Sequence, residues 1–224
     1  MTRGIVIVGN ESNLTNALLN EAAKRVSRFV SVIIPNRLTG FELETPGPAN
    51  PSVQERLSWN PGSPISARTL LLAAENRLEH IDDAVLVCSP PSVCCPPEKL
   101  VLREIETMVN DHFIGWFYLV KELSSRFRTQ MSGTLSLIVY EPPPAKSKDG
   151  PIDLLGPAAA ASFRAFSQSL LTQAINEPFL TLGFSLSESV DDAACGTFIF
   201  KIIDERNKRD NGKWHKYGKF LFFK

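Results

Sequence analysis

Three side chains have the chemistry for proton transfer at a common point. Tyr140 and Glu141 close the apolar run that begins at Thr134, and His112 lies upstream in a long helical pattern. A phenol, a carboxylate and an imidazole could pass a proton between them if they converged at the carboxyl ends of strands, where ligands bind in open sheets. The blander reading is preferred: Tyr140 caps a strand, Glu141 is solvated and His112 lies between helices. Other chemistries lack their signatures. The cysteines are Cys88, Cys94, Cys95 and Cys195, with no C-x-x-C pair, and His80, His112 and His215 are scattered. No zinc site is expected, and the thiols are expected to be reduced. No G-x-S-x-G turn is present to present a nucleophilic serine.

The elements that must position these residues follow from composition and pattern. The chain has 224 residues, 43% hydrophobic and 21% charged, which suits one globular domain over residues 1–224. Lys+Arg and Asp+Glu are 24 each, so no net field draws the protein to nucleic acid or to an anionic membrane. The basic C-terminal stretch, which includes Arg206, Lys208, Arg209 and Lys213, is read as a solvated edge. No apolar run reaches the ~20 residues of a membrane span, and the one from Gly4 to Gly9 is too short for a signal peptide. A cytoplasmic location is expected.

Gly4–Val8 reads as a buried parallel strand, Leu14–Phe29 as a helix capped by Ser12, and Val30–Ile34 as a second strand. Residues 38–64 carry Pro46, Pro48, Pro51, Pro61 and Pro64, so an irregular insertion is expected to replace a helix there, with a short strand within Val53–Trp59. Then come a helix from Ser66, the strand Asp83–Cys88, and one long helix from about Pro97 to Phe127, bent near Gly115. The strand ending at Tyr140, a helix with Pro157 in its first turn, the strand Phe179–Phe184, the helix Asp191–Glu205 and a last strand Lys219–Phe223 complete the chain. Strict alternation predicts an α/β fold: a doubly wound, mostly parallel seven-stranded sheet, Rossmann-like, with helices on both faces.

Segment order over nearly the whole chain resembles the short-chain dehydrogenase/reductases. Gly4–Thr15, the Ile81–Val87 strand, the helix ending in Gln168-Ser169-Leu170 and the tail from Asn211-Gly212 carry the likeness. The resemblance implies a nicotinamide cofactor held by a G-x-x-x-G-x-G turn and a serine–tyrosine–lysine–asparagine tetrad. Here only Gly9 matches that turn, with Asn13 and Thr15 in the places of the later glycines. A side chain at Asn13 is expected to crowd the diphosphate, and Glu11 places a negative charge near an anion site. Arg37 falls where NADP-preferring members often hold the 2′-phosphate, although a solvated loop arginine reads as well. Cys88-Ser89-Pro90 replaces the usual N-A-G loop. Gly156 takes the tyrosine's place, Ala160 the lysine's, Val139-Tyr140-Glu141 the serine's region, and His112 falls near the asparagine's.

The resemblance therefore implies a degenerate member. No catalytic residue is expected, and the vestigial cofactor positions are Gly9, Asn13, Thr15, Arg37 and Cys88. No cofactor is expected, NADP being the one implied if any is held. The favoured reading is a non-catalytic binding or assembly protein. The alternatives are an atypical NADP(H)-dependent oxidoreductase and a small-molecule sensor. In the resembled family the fourth and fifth helices pack against their copies. A homodimer is accordingly expected here through Phe113, Trp116, Phe117, Phe163 and Phe166, the first three of which occupy more than one narrow apolar stripe.

Overall fold

The computed structural model describes residues 3–26, 28–34, 55–141, 152–187 and 191–218. Seven parallel strands form one sheet: β1 (Ile5–Asn10), β2 (Phe29–Ile34), β3 (Glu55–Leu57), β4 (Asp83–Cys88), β5 (Thr134–Glu141), β6 (Leu180–Ser187) and β7 (Trp214–Tyr217). Their spatial order is β3-β2-β1-β4-β5-β6-β7. The chain leaves β1 toward one edge and returns to pair β4 beside it, so the switch point that opens a crevice lies between β1 and β4.

β1 and β4 are buried at every position because helices cover both faces. Residues of alternating parity feed two cores. Val6, Val8, Leu86, Leu137 and Val139 pack beneath α2 (Pro64–Leu78), α4 (Gly115–Gln130) and α5 (Leu155–Gln173). Ile5, Ile7, Val87, Ile138 and Phe184 pack beneath α1 (Asn13–Ala23) and α6 (Asp192–Glu205).

At the amino end of the sheet, Asp83 is fully buried and is paired with Arg3 and Arg206. Arg3 also meets Asp204 at 2.5 Å, and Asp204 meets Arg25 at 2.7 Å. Burial pushes the Asp83 carboxyl up from its ordinary range, while Arg3 and Arg206 oppose that rise.

The predicted architecture holds, with local corrections; the first helix, expected to reach Phe29, ends at Ala23, and Phe29 opens β2. The second helix starts at Pro64, with Ser63 rather than Ser66 as its N-cap, because proline suits the first helical turn. The single helix over 97–127 is instead a 3₁₀ turn (Pro97–Lys99), α3 (Leu102–Val109), a π-helical turn (Asn110–Ile114) and α4. The bend expected near Gly115 is this π turn, closed by the Gly115 N–H donating to the Asn110 carbonyl. Gly115 is required there, since a Cβ would come 2.5 Å from Pro61 Cβ. The last strand begins at Trp214, directly after the Asn211-Gly212 turn; Lys219–Phe223 lies outside the described residues. Asn211 pins that turn by accepting from the Thr181 N–H at 2.8 Å and donating to the Ala174 carbonyl at 3.0 Å. Of the 38–64 stretch, residues 38–54 also lie outside the described residues, and the expected short strand is β3.

Candidate functional site

The carboxyl ends of β1 and β4 meet the start of α1, where an anion would be held. Ser12 caps α1 as expected, its Oγ accepting from the Thr15 N–H at 3.1 Å. The Thr15 hydroxyl donates to the Asn10 carbonyl at 2.7 Å and lies 2.9 Å from Ser12 Oγ. One of the helix N–H groups available to a phosphate is thereby occupied from within the chain. Thr15 is buried against Gly9, where an added Cβ would come 2.9 Å from Val87 Cβ and 3.3 Å from Thr15 Oγ1. Gly9 thus serves close helix–strand packing, with the Thr15 hydroxyl bonded back to β1. Among the described residues none from Asn10 to Thr15 adopts positive φ, so the turn forms without left-handed geometry.

Asn13 is the exposed first residue of α1. It lines a groove of about 400 Å³ with Asn16, Asn20, Asp191 and Asp192, running along α1 beside the start of α6. Glu11 is exposed and stands 3.9 Å from the Arg56 guanidinium. Arg37 lies outside the described residues. Cys88 ends β4 fully buried; burial pushes its thiol well up, opposed only by the Trp116 indole. It is a packed, neutral sulfur rather than a nucleophile.

The start of α5 is sewn to the loop after β4 by one carboxylate. Asp153 Oδ1 accepts from the Val93 N–H at 3.2 Å and from the Gly156 N–H at 3.0 Å, and Asp153 forms an isolated antiparallel bridge with Cys94. Gly156 is buried in this junction. An added Cβ would run into Asp153 Oδ2 and lie 3.3 Å from the Pro91 carbonyl oxygen. Ala160, one turn on, is also buried. Sequence reasoning missed Asp153. Its signal was an Asp three residues before a helix-opening glycine, the spacing of a side chain that accepts from a first-turn N–H.

His112 lies in the π turn, buried, and its Nδ1 has no hydrogen-bond partner among the described residues. Burial lowers its pKa to about 4 from an ordinary 6.5. The imidazole is therefore neutral at neutral pH. Because the folded value is depressed, the stability tied to neutral His112 is complete above about pH 6.5 and is lost as pH falls toward 4. The full difference is about 3 kcal/mol. A His112→Gln variant should lose less stability than the parent between pH 7 and 4, as read by urea unfolding at each pH.

Tyr140 packs into the core beneath α1 and α6, whereas the π turn carrying His112 packs against α5 on the opposite face. The tyrosine and histidine therefore do not converge. The Glu141 side chain lies outside the described residues. Among the described residues, no group of three His, Cys, Asp or Glu side chains is placed to hold a metal. No helix among them is long and apolar enough to cross a membrane.

The five aromatic residues expected at one surface divide. Trp116 and Phe163 are core residues, 1% and 2% exposed, stacked edge-on at 5.0 Å. Their positions on α4 and α5 face the sheet, which corrects their assignment to an interface. Phe113 and Phe117 are 43% and 44% exposed. Phe117 meets Phe166 at 4.2 Å between ring centroids, and these three rings wall an open groove of about 470 Å³ between α4 and α5. Leu102, Ile105 and Val109 extend the exposed apolar stripe along α3.

The whole arrangement has the fold of short-chain dehydrogenase structures. A short-chain dehydrogenase from Mycobacterium smegmatis superposes with a TM-score of 0.73 at 11% identity, covering 97% of this chain and 92% of that one. One from Bacillus anthracis gives 0.70 at 13% identity, covering 96% and 94%. No protein-family model matches the sequence, and no curated protein is significantly similar to it.

Proposed function

We propose that this protein keeps the dehydrogenase fold as a scaffold, performs no hydride transfer, and works as a homodimer joined through the outer face of α4 and α5. The observation that carries the first part is the junction at Gly156. The space for a tyrosine there is taken by the Asp153 carboxylate and the Pro91 carbonyl, and the carboxylate is bonded to two backbone N–H groups. A proton donor built at that position would have to displace these bonds. The Ser12–Thr15 lock at α1 supports the same reading, since it occupies a donor that a pyrophosphate would need. The residues present thus fit a nicotinamide dinucleotide poorly, and no catalytic step is assigned to them. The exposed Phe113–Phe117–Phe166 groove supports the dimer, because apolar rings at such a concave surface favour burial against a partner. On this reading the protein resides in the cytoplasm and engages neither nucleic acid nor membrane.

A second reading, an atypical NADP(H)-dependent oxidoreductase, draws on the structural likeness to dehydrogenases and on the retained Gly9. Thermal unfolding with NADPH and with NADH separates the two. A dinucleotide at one hundred times its Kd would add about 2.7 kcal/mol. For a chain of this size that is a rise in Tm of roughly 5–10 °C. No shift with either nucleotide is expected. A shift accompanied by nucleotide oxidation would establish the second reading.

A further inference from the structure

The thiols of Cys94 and Cys95 are adjacent in sequence and reachable from solvent, whereas Cys88 and Cys195 are buried. They sit in the loop after β4, whose attachment to α5 depends on the Cys94–Asp153 bridge and the Val93 N–H bond to Asp153 Oδ1. A solvent-reachable thiol with another at the next residue can turn oxidation into a reversible disulfide. We infer that Cys94 and Cys95 form a vicinal dithiol that a neutral peroxide oxidises to a disulfide between adjacent residues, and that this ring loosens the loop from Asp153.

In the first step the Cys94 thiol gives up its proton and the thiolate attacks hydrogen peroxide. The O–O bond breaks, an S–O bond forms, and one water leaves, carrying the thiol proton. In the second step Cys95 attacks the Cys94 sulfenic acid as its thiolate; the S–S bond forms and the hydroxyl leaves as a second water with the proton that Cys95 gave up. Two thiols lose two electrons in total, and the peroxide is reduced to two waters. The order follows from the surroundings. Cys94 is the more exposed and lies 3.2 Å from the Ser92 hydroxyl, while burial and then the nearby Glu104, Cys94, Glu98 and Asp153 push the Cys95 thiol up. The same carboxylates favour a neutral oxidant over an anionic one such as glutathione disulfide.

The ring has a structural consequence. Successive Cα atoms stand about 3.8 Å apart across a trans peptide. Ordinary disulfides span about 4.4–6.8 Å. Closing the ring therefore strains the backbone at Cys94, the residue that bridges Asp153. A strained disulfide is also easily reduced, so a dithiol reductant should reverse it. This inference does not depend on the function proposed above.

The test uses the full chain treated with equimolar hydrogen peroxide, then denatured, alkylated and mapped by peptide mass. The peptide holding Cys94 and Cys95 should be lighter by two hydrogens and unalkylated, while Cys88 and Cys195 take the label. In Cys95→Ser, dimedone should trap a sulfenic acid on Cys94. Amide hydrogen exchange at Val93 and Gly156 should speed up several-fold on oxidation and recover with dithiothreitol. The inference is overturned by a dimedone adduct on Cys94 that persists in the parent protein, by an intermolecular disulfide, or by unchanged exchange at those two amides after the ring has closed. Faster reaction with glutathione disulfide than with peroxide would overturn the choice of oxidant.

Discussion

Replacing Arg3 by methionine should cost about 3 kcal/mol of unfolding free energy at neutral pH. In a chain of this length that lowers Tm by roughly 6–12 °C. Asp83 is fully buried at the first position of β4, and Arg3 is its more buried partner; Arg206 reaches it at 3.3 Å from a guanidinium that is 42% exposed. Removing Arg3 leaves a buried carboxylate with the half-solvated Arg206 as its remaining cationic partner. The loss should depend on pH in a defined direction. An Asp83 carboxyl whose folded pKa is raised by burial is tolerated below its unfolded pKa and becomes costly as pH rises through the folded value. The gap between variant and parent should therefore narrow on acidification from pH 7 to 4.5, measured by urea unfolding. The double variant Arg3→Met, Asp83→Asn should recover most of the loss at pH 7. An equal deficit at both pH values would show that Arg3 stabilises by packing rather than by neutralising Asp83.

Phe117→Asp should convert the proposed homodimer into a monomer while leaving the fold intact. Phe117 is 44% exposed in the single chain and stacks on Phe166 at the floor of the α4–α5 groove. A two-fold axis near this groove would place the same rings from both copies in contact. Central aromatic anchors of this kind are worth about 2 kcal/mol or more each. A charge on that surface in both subunits should weaken association by at least about 30-fold. Light scattering across micromolar concentrations reads the change, and circular dichroism should show unchanged helix content. Trp116→Ala serves as the contrast. It removes a core ring packed on Trp59 and Phe163, so it should unfold the chain rather than separate subunits. A monomeric parent protein at the same concentrations would refute the interface.

How much of the candidate site was legible varies from residue to residue. Ser12 was readable as the cap of α1 because the cap is a local bond between residues three apart. The opposite faces occupied by Tyr140 and His112 were not readable. β5 pleats with period two, but which parity meets which helix layer depends on the pairing of Thr134 with Asp83 and Leu180 across the sheet. Similarly, Trp116 and Phe117 are neighbours in sequence with one buried and one exposed. Composition alone could not say which, because the π turn just before them sets the rotation of α4.

From the residues alone came the alternation of seven strands with helices, hence a parallel doubly wound sheet, and the absence of glycine at Asn13 and Thr15 and of tyrosine near Gly156. These are properties of pattern and identity, and they need no partner element. Tertiary structure decided what surrounds these positions: a threonine hydroxyl bonded to Asn10 at one, and an Asp153 carboxylate shared between a loop and a helix at the other. Those contacts join β1 to α1 and the loop after β4 to the start of α5, some sixty residues away. Only closure of the sheet brings such distant backbone donors to one acceptor.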